Sequence, residues 1–252
     1  LFNFLFKDNV KFTLRTDVHA HLLPDIDDGP KTMEASIDMI RALSEIGYKR
    51  LIATPHVYQE YYPNTRKIIL EKLIAVQQAI EKAAIPVKID AAAEYYLDDH
   101  FERLLKREEL LTLDRTNYVL VECSMLEKTM KIREYLFQMQ VQGYRPVLAH
   151  PERYLYYKET DYESLLDNGC KFQINLLSLA GHYGKSVQKR ANFLLKKGWI
   201  NFVGTDAHHL NHIKTVRSFL KSTKTAKLLS KQQLLNDTFS SISAPQPKEY
   251  KD

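Results

Sequence analysis

Two histidines stand one residue apart near the start of the chain and are followed at once by an acidic loop. His19 and His21 end an apolar, strand-like segment, and Asp28 lies seven residues further on. On an extended backbone residues i and i+2 point to the same side, so both imidazoles can face one point. Imidazoles with a carboxylate form a typical transition-metal site. Two solvated histidines at a strand end explain this segment equally well when it is taken alone.

Chemically similar side chains recur at the ends of later apolar segments. We predict buried strands before each of these residues, and in a parallel barrel the carboxyl ends of the strands converge on one rim. Each residue alone has a simpler explanation, such as an ion pair, but the set predicts a metal site. The candidate metal ligands are His19, His21, Asp28, His56, Glu94, Glu122, His150, Asp206 and His208. The other four histidines, which do not share the pattern, are His100, His182, His209 and His212.

Nine candidate donors are more than one ion uses. A divalent site takes roughly four to six ligands, so five imidazoles and four carboxylates fit two or three metals. The charge surplus of three such ions suits an anionic substrate such as phosphate. We expect His19 and His21 to share one metal. Asp206 and a bridging Glu94 complete that site in this hypothesis, whereas Asp28 serves another metal.

The elements that must position these residues alternate, strand then helix, seven times. Apolar residues recur at helical spacing between the strands, as in 32–46, where Gly47 ends the predicted helix. Buried strands alternating with amphipathic helices predict an α/β fold with parallel strands, and seven units without a linker favour a closed or nearly closed barrel. We predict one domain over 1–242 and a flexible tail over 243–252. Part of the chain after Lys221 is expected to form a terminal helix.

Composition narrows the class of protein. The net charge is +5 and the pI near 8.9, but the basic residues are dispersed, so the sequence gives little support for nucleic-acid binding. No apolar run is long enough to span a bilayer, and the apolar residues 1–6 are expected to form an arm on the domain rather than a signal peptide. Cys123 and Cys170 lie in apolar segments, which indicates buried thiols in a reducing compartment. We therefore expect a cytoplasmic protein without membrane insertion.

An ordered set of motifs resembles the polymerase-and-histidinol-phosphatase (PHP) superfamily, and within it the bacterial PHP-type protein tyrosine phosphatases that accompany capsule and exopolysaccharide tyrosine kinases. The resemblance extends from about Thr16 to Leu220. The motifs are HAH at 19–21, DDG at 27–29, ATPH at 53–56, AEYY at 93–96, AHPERY at 149–154, QIN at 173–175 and GTDAH at 204–208.

The resemblance implies a distorted (β/α)7 barrel, the PHP fold, with three metals at the carboxyl ends of its strands. The metal is often manganese in this family, although iron, zinc or cobalt are alternatives. It also implies hydrolysis of phosphotyrosine, with a bacterial tyrosine kinase tail as the partner. All nine candidate ligands match family positions, and Arg153 matches the family's phosphate-binding arginine, a catalytic residue. A guanidinium suits phosphate oxygens, whereas the simpler alternative is a salt bridge to Glu152.

Substrate contacts are less well defined by the sequence. Family members often carry an arginine shortly after the final Asp-x-His motif, but here Lys214, His212 or Arg217 would have to replace it. The tyrosine-rich loop that includes Tyr58 follows His56 and could stack on a phosphotyrosine ring. A loop packed on its own helix is an equally good interpretation.

We expect a metal-activated hydroxide to attack phosphorus, because metals lower the pKa of bound water. A cysteine phosphatase would need an arginine six positions after its nucleophile, but Thr129 and Leu176 occupy those positions relative to Cys123 and Cys170. The nearest alternative is a PHP small-molecule phosphatase such as histidinol phosphatase. A PHP exonuclease is less well supported because no basic groove is apparent. The alternative outside the enzymes is a metal-stabilised binding protein that binds a kinase but catalyses no reaction.

Overall fold

The computed structural model describes residues 14–114, 117–222 and 229–239. The predicted N-terminal arm and C-terminal tail lie outside these residues, as do residues 223–228 and 240–242 of the region expected to contain a terminal helix. Among the described residues, no helix is both long and apolar enough to cross a membrane.

In the part of the chain that the structure describes, nine short parallel strand segments form the curled sheet. They are β1 Thr16–Ala20, β2 Arg50–Ala53, β3 His56–Val57, β4 Lys88–Ala91, β5 Glu94–Tyr96, β6 Tyr118–Glu122, β7 Arg145–Ala149, β8 Lys171–Asn175 and β9 Phe202–Gly204. Their order is β1-β2-β4 in one part of the sheet and β3-β5-β6-β7-β8-β9 in the other.

Two of the seven predicted strands are interrupted, which is why nine segments are seen. β2 and β3 are separated by Thr54 and Pro55, and proline cannot donate a hydrogen bond to a neighbouring strand. The ladder nevertheless continues across both interruptions, because the Ala92 N–H donates to the Ala53 carbonyl (2.8 Å) and the Glu94 N–H to the Pro55 carbonyl (3.0 Å). The segments therefore occupy seven strand positions.

The sheet curls until its first and last strands meet. The Asp206 N–H donates to the His19 carbonyl at 2.8 Å, and the His21 N–H donates to the Ala207 carbonyl at 3.0 Å. Ala20 and Ala207 form a parallel bridge at the same place. This β1–β9 seam confirms the predicted barrel, and it brings the two ends of the domain to one side of the metal-donor cluster.

Helices cover the outside of the barrel. They are α1 Met33–Ile46, α2 Arg66–Lys82, α3 Asp99–Lys106, α4 Ile132–Val141, α5 Glu159–Asp167, α6 Leu176–Ala180, α7 Lys185–Lys197 and α8 Leu210–Leu220, with 3-10 turns at Pro151–Arg153 and Asn236–Thr238. α1 begins where the Thr32 hydroxyl accepts from the Ala35 N–H (3.2 Å) and ends at Gly47, whose positive φ of 125° favours glycine. α6 and α8 were not predicted. α6 starts directly after the QIN motif, and α8 starts two residues after the GTDAH motif.

The faces of the strands separate two apolar clusters. The larger cluster packs between the sheet and the helices, while the smaller one takes Tyr118, Leu120, Val147 and Phe202 from the opposite strand faces. Alternate residues of a strand share a face, so Glu122 continues the row begun by Tyr118 and Leu120. The barrel interior is therefore apolar towards the amino ends of the strands and polar at the rim, where their carboxyl ends lie.

Candidate metal centre

Buried Glu94 lies at the middle of the predicted donors. Its Oε2 atom is 3.2 Å from His19 Nε2, 3.5 Å from His21 Nε2 and 3.2 Å from His56 Nδ1. Its Oε1 atom is 2.8 Å from His150 Nε2. A single carboxylate therefore contacts four imidazoles that lie in or directly after three different strands, β1, β3 and β7, which is the arrangement that a bridging ligand requires.

Asp206 closes the side of the cluster next to the β1–β9 seam. Its Oδ1 atom is 3.4 Å from the Nε2 atoms of both His19 and His21, and those two nitrogens lie 3.4 Å apart. The same oxygen is 3.6 Å from His208 Nδ1. The pair of histidines that opens the sequence thus faces carboxylates on both sides.

Asp28 and Glu122 complete the more exposed side of the cluster. Asp28 Oδ1 lies 3.3 Å from His208 Nε2 and 3.5 Å from His56 Nε2. Glu122 Oε1 lies 2.8 Å from His56 Nδ1, and Oε2 lies 4.0 Å from His150 Nε2. The structure therefore brings all nine predicted donors together, although they come from positions 19 to 208 of the chain.

Three groups of donor atoms are compact enough to hold a cation each, with the atoms of each group within 4.8 Å of one another. They are His21, Asp28, His56 and His208; His19, His21 and Glu94; and His56, Glu94 and Glu122. The second group matches the core of the site expected for His19 and His21, and Asp28 falls in a different group. Shared members, namely His21, His56 and Glu94, place the groups side by side.

The donor set fits divalent ions on its own chemistry. Glu94 Oε2 is buried and accepts no hydrogen bond from any described residue, although three imidazole nitrogens surround it. Buried carboxylate oxygens are normally hydrogen-bonded or bound to a metal. Imidazoles and carboxylates converging on such an oxygen provide the nitrogen and oxygen ligands that divalent transition metals accept.

Neighbouring side chains hold the imidazoles in orientation. His21 Nδ1 donates to Asp27 Oδ2 at 2.7 Å, and His19 Nδ1 donates to Gln173 Oε1 at 2.8 Å. His208 Nδ1 likewise lies 2.9 Å from the Asp206 carbonyl oxygen. With Nδ1 occupied, the Nε2 atom of each ring is left facing the cluster, as in many metal sites where a second hydrogen bond fixes the ligand.

A chain of hydrogen bonds links two of the donors through β8. Gln173, which accepts from His19, donates through Nε2 to Asn175 Oδ1 (2.9 Å). Asn175 Nδ2 in turn donates to Asp206 Oδ2 (2.6 Å). Gly204 makes this close packing possible, because a Cβ atom there would lie 2.6 Å from His19 Cβ. Gln173 and Asn175 belong to the QIN motif, to which the sequence assigned no role. Their i, i+2 spacing on a strand indicates that both side chains point to the same face.

Two of the donors sit on left-handed backbone. His150 has a φ of 35° and Asp206 a φ of 52°, conformations that cost a non-glycine residue free energy. His150 directly follows β7, and Asp206 lies two residues after the end of β9. The left-handed backbone directs both side chains into the donor cluster. An extended backbone at these positions would direct them elsewhere.

Charges within the cluster stabilise one another. Burial alone would lower the pKa of His56, but the nearby carboxylates of Glu122 and Glu94 outweigh it and raise the pKa to about 9. Burial would raise the pKa of Glu94, but the imidazoles of His19, His56 and His150 hold it well below its usual range. The carboxylates therefore stay ionised in the barrel rim and favour cations among them.

Arg153 reaches the same cluster from the 3-10 turn after β7. Its Nη1 atom lies 3.4 Å from Asp206 Oδ2, and its guanidinium lies 4.6 Å from the centre of the Tyr183 ring. The alternative salt bridge to Glu152 is not formed, because Glu152 is buried and accepts from the Asn175 N–H at 2.9 Å. Tyr183 also donates to Asp206 Oδ2 (3.3 Å), a contact that sequence reasoning did not find.

The two predicted substrate contacts lie in different settings. Tyr58 stacks on Tyr96, with ring centres 4.1 Å apart, at the loop after β3. Lys214 is exposed on α8, whereas His212 from the same helix accepts from the His208 N–H at 3.3 Å. His182 and His209 pack on His212, so three of the four histidines left unassigned by the sequence stand beside the donor cluster. Their proximity depends on α8, which the sequence did not predict.

A curled parallel barrel with imidazole and carboxylate donors at the carboxyl ends of its strands defines a metal-binding α/β barrel of the hydrolase type. The chain belongs to the CpsB/CapC family of capsular polysaccharide synthesis, whose model matches residues 15–234. This finding confirms the resemblance derived from the motifs.

Relatives in this family are named as tyrosine phosphatases. The tyrosine-protein phosphatase YwqE of Bacillus subtilis is 32% identical over 196 residues, which are 77% of this chain and 77% of YwqE. The tyrosine-protein phosphatase CpsB of Streptococcus agalactiae is 31% identical over 203 residues, covering 77% of this chain and 83% of CpsB.

Solved structures agree with the sequence relatives. A crystal structure from a study of YwqE and of CpsB from Streptococcus pneumoniae, described as unique metal-dependent tyrosine phosphatases, superposes with a TM-score of 0.77 at 29% identity. That match covers 93% of this chain and all of the other. The phosphotriesterase homology protein of Escherichia coli superposes with a TM-score of 0.55 at 13% identity, a likeness of fold alone.

Proposed function

We propose that this protein is a metal-dependent protein tyrosine phosphatase, a phosphoric monoester hydrolase, and that the nine converging residues are its metal ligands. The observation that carries the proposal is the convergence of nine donors around buried Glu94 in a chain whose relatives are named tyrosine phosphatases. Two or three divalent ions fit the donor groups, with manganese as the metal proposed for the cell.

Residues of this chain would position the substrate and stabilise the negative charge of its phosphate group. Divalent ions held by the nine donors would supply an activated water and positive charge for the phosphate oxygens. Arg153 stands beside Asp206, where its guanidinium can offer two donors to those oxygens as charge develops on them. The leaving phenolate has a conjugate pKa of about 10, so it needs less help from a general acid than an alkyl alcohol does.

Cysteine chemistry has no support in the structure. Burial raises the pKa of the Cys123 thiol to about 12 and that of the Cys170 thiol to about 12. Both thiols are buried and remain protonated at neutral pH, whereas a cysteine phosphatase depends on an exposed thiolate. The reaction is therefore assigned to the donor cluster and Arg153.

The physiological substrate in this proposal is a tyrosine-phosphorylated protein, namely a bacterial tyrosine kinase that controls polysaccharide synthesis. The family's link to capsular polysaccharide synthesis supports this choice. Action in the cytoplasm is part of the same proposal, and the two free, buried cysteines fit a reducing compartment.

The test is phosphatase activity on a tyrosine-phosphorylated peptide across a panel of divalent metals, together with elemental analysis. His150→Ala and Asp206→Ala should abolish activity while the circular dichroism spectrum stays close to that of the wild type. Full activity after metal removal, or in either variant, would contradict the proposal. Faster hydrolysis of histidinol phosphate than of the peptide would favour the small-molecule alternative.

A further inference from the structure

Exposed apolar side chains are concentrated on the rim that carries the donor cluster. Nine large hydrophobic residues are exposed among the described residues, and six of these lie in or directly after the loops that follow strands. They are Tyr61, Met125, Leu126, Met130, Leu155 and Leu210. The loops after parallel strands surround the site of a barrel, so this apolar surface borders the donor cluster.

The most exposed of these residues continue an aromatic surface that begins at the metal donors. Tyr62 stacks on His56 with ring centres 5.3 Å apart, and Tyr58 in the same loop stacks on Tyr96. Next along the rim, the loop after β6 presents Leu126 at 92% exposure and Met130 at 91%. We define Tyr58, Tyr61, Tyr62, Tyr96, Leu126 and Met130 as the apolar ledge.

The loop that carries Leu126 and Met130 is held in place on both sides. Ser124 Oγ accepts from the Leu126 N–H at 3.2 Å, and the Ser124 carbonyl accepts from Tyr156 Oη at 2.6 Å. Lys128 pairs with Asp161 of α5 at 2.8 Å. These contacts fix the backbone, so the two side chains point into solvent although burying them would be favourable.

We propose that the apolar ledge binds apolar side chains that flank the phosphotyrosine of a polypeptide substrate. The proposal rests on the proposed function, because the phosphate must occupy the donor cluster. Position identifies the occupant. The ledge starts at Tyr62 on the donor His56, and Tyr96 pairs with Glu122 of β6, the strand whose following loop carries Leu126 and Met130. A polypeptide anchored by its phosphotyrosine can lie along this surface.

The distance from the donor cluster to the ledge suits substrate residues that are close to the phosphotyrosine in the peptide sequence. Leu126 follows the donor Glu122 by four residues, which limits the separation of their Cα atoms to roughly 14 Å. An extended peptide advances about 3.3 Å per residue, so positions up to about four residues from the phosphotyrosine reach the ledge. Burying one or two apolar side chains there should raise kcat/KM on the order of tenfold.

The experiment compares two phosphotyrosyl peptides, one with leucine and one with serine at the four positions on each side. The wild type should prefer the leucine peptide on the order of tenfold in kcat/KM. The Leu126→Ser, Met130→Ser double variant should lose this preference while keeping wild-type rates on the serine peptide and on p-nitrophenyl phosphate. Ile74→Ser is the matched control, because Ile74 is 54% exposed but lies on α2, away from the rim.

Equal kcat/KM values for the two peptides in the wild type would overturn the proposal, as would a preference that survives in the double variant. A wild type that is dimeric, with a monomeric double variant in analytical ultracentrifugation, would assign the ledge to a second copy and also overturn it. The proposed function fails in a different way, through absence of metal-dependent hydrolysis of every phosphotyrosyl substrate.

Discussion

Arg153 differs from the nine donors because it carries a permanent positive charge at physiological pH. This charge can balance the negative charge of a phosphate. It lies 3.4 Å from Asp206 and against the face of Tyr183, two contacts that hold the guanidinium plane near the donor cluster. A lysine keeps the charge but offers only a single ammonium in place of the planar fork.

Arg153→Lys should therefore lower kcat/KM for a phosphotyrosyl peptide by about 10- to 100-fold, because the paired donors to phosphate are lost. Metal content should stay unchanged, since Arg153 is not a donor. Steady-state kinetics with elemental analysis provide the measurement. Arg133→Lys on exposed α4 is the control, and a variant of Arg153 that retains wild-type kinetics would remove it from the mechanism.

Asp27 contacts the proposed metal ligand His21 and should influence metal binding through it. We expect Asp27→Asn to weaken metal binding by about 10- to 100-fold, because the carboxylate that fixes the His21 ring loses its charge. Titration with Mn2+ followed by calorimetry measures the effect. Asp25→Asn, two residues away and exposed, should bind metal as the wild type does. Equal affinities for the two variants would show that Asp27 has only a structural role.

At the scale of elements, periodicity in the sequence predicted α1 to within one residue, over 32–46 against the observed Met33–Ile46. It could not predict the interruptions between β2 and β3 or between β4 and β5. Those breaks depend on how neighbouring strands pair around the barrel, as shown by the Glu94 N–H donating to the Pro55 carbonyl. Glu94 consequently begins β5 instead of following a complete strand, and this position lets it reach the centre of the cluster.

A short C-terminal element fastens the β1–β9 seam. Asn236 is fully buried in the 3-10 turn, where it accepts from the Val203 N–H (3.0 Å) and donates to the carbonyls of Val203 (2.7 Å) and Thr16 (3.0 Å). Asp237 accepts from the N–H groups of Arg15 and Thr16, both at 2.9 Å. The composition of this region did not reveal it, because a buried asparagine resembles a loop residue in sequence.

Asn236→Ala should lower the free energy of unfolding by about 2–4 kcal/mol, since three buried backbone groups lose their partner. Urea denaturation followed by circular dichroism measures the change. Gln233→Ala, three residues earlier and exposed, should change stability by less than about 0.5 kcal/mol. If the two variants unfold at the same urea concentration, Asn236 does not hold the seam together.

At the scale of the whole molecule, the sequence predicted which donors converge but not how they are supported. The nine donors could be found because each lies at or near the end of a strand, a property of local sequence. The contacts of Gln173, Asn175 and Tyr183 could not, because they depend on strand register and side-chain rotamers. The position of His212 beside His208 likewise depends on how α8 packs.

The donors come from most of the barrel, so metal binding should stabilise the whole fold. Mn2+ at about 100 times its dissociation constant should add about 2.7 kcal/mol to the free energy of unfolding. Thermal denaturation with Mn2+ and with a chelator measures the difference as a rise in Tm. The Asp206→Ala variant should show a smaller rise, and an identical rise in this variant would place the bound ions elsewhere.

The β1–β9 seam has a consequence for the order in which the protein is made. His19 and His21 leave the ribosome before Asp206, which meets them across the seam and follows about 190 residues later. At about 5–20 residues per second, this delay is roughly 10 to 40 s. Strand β1 must wait for that time with one edge unpaired, so the donor cluster that includes Asp206 can be completed only after β9 has been made.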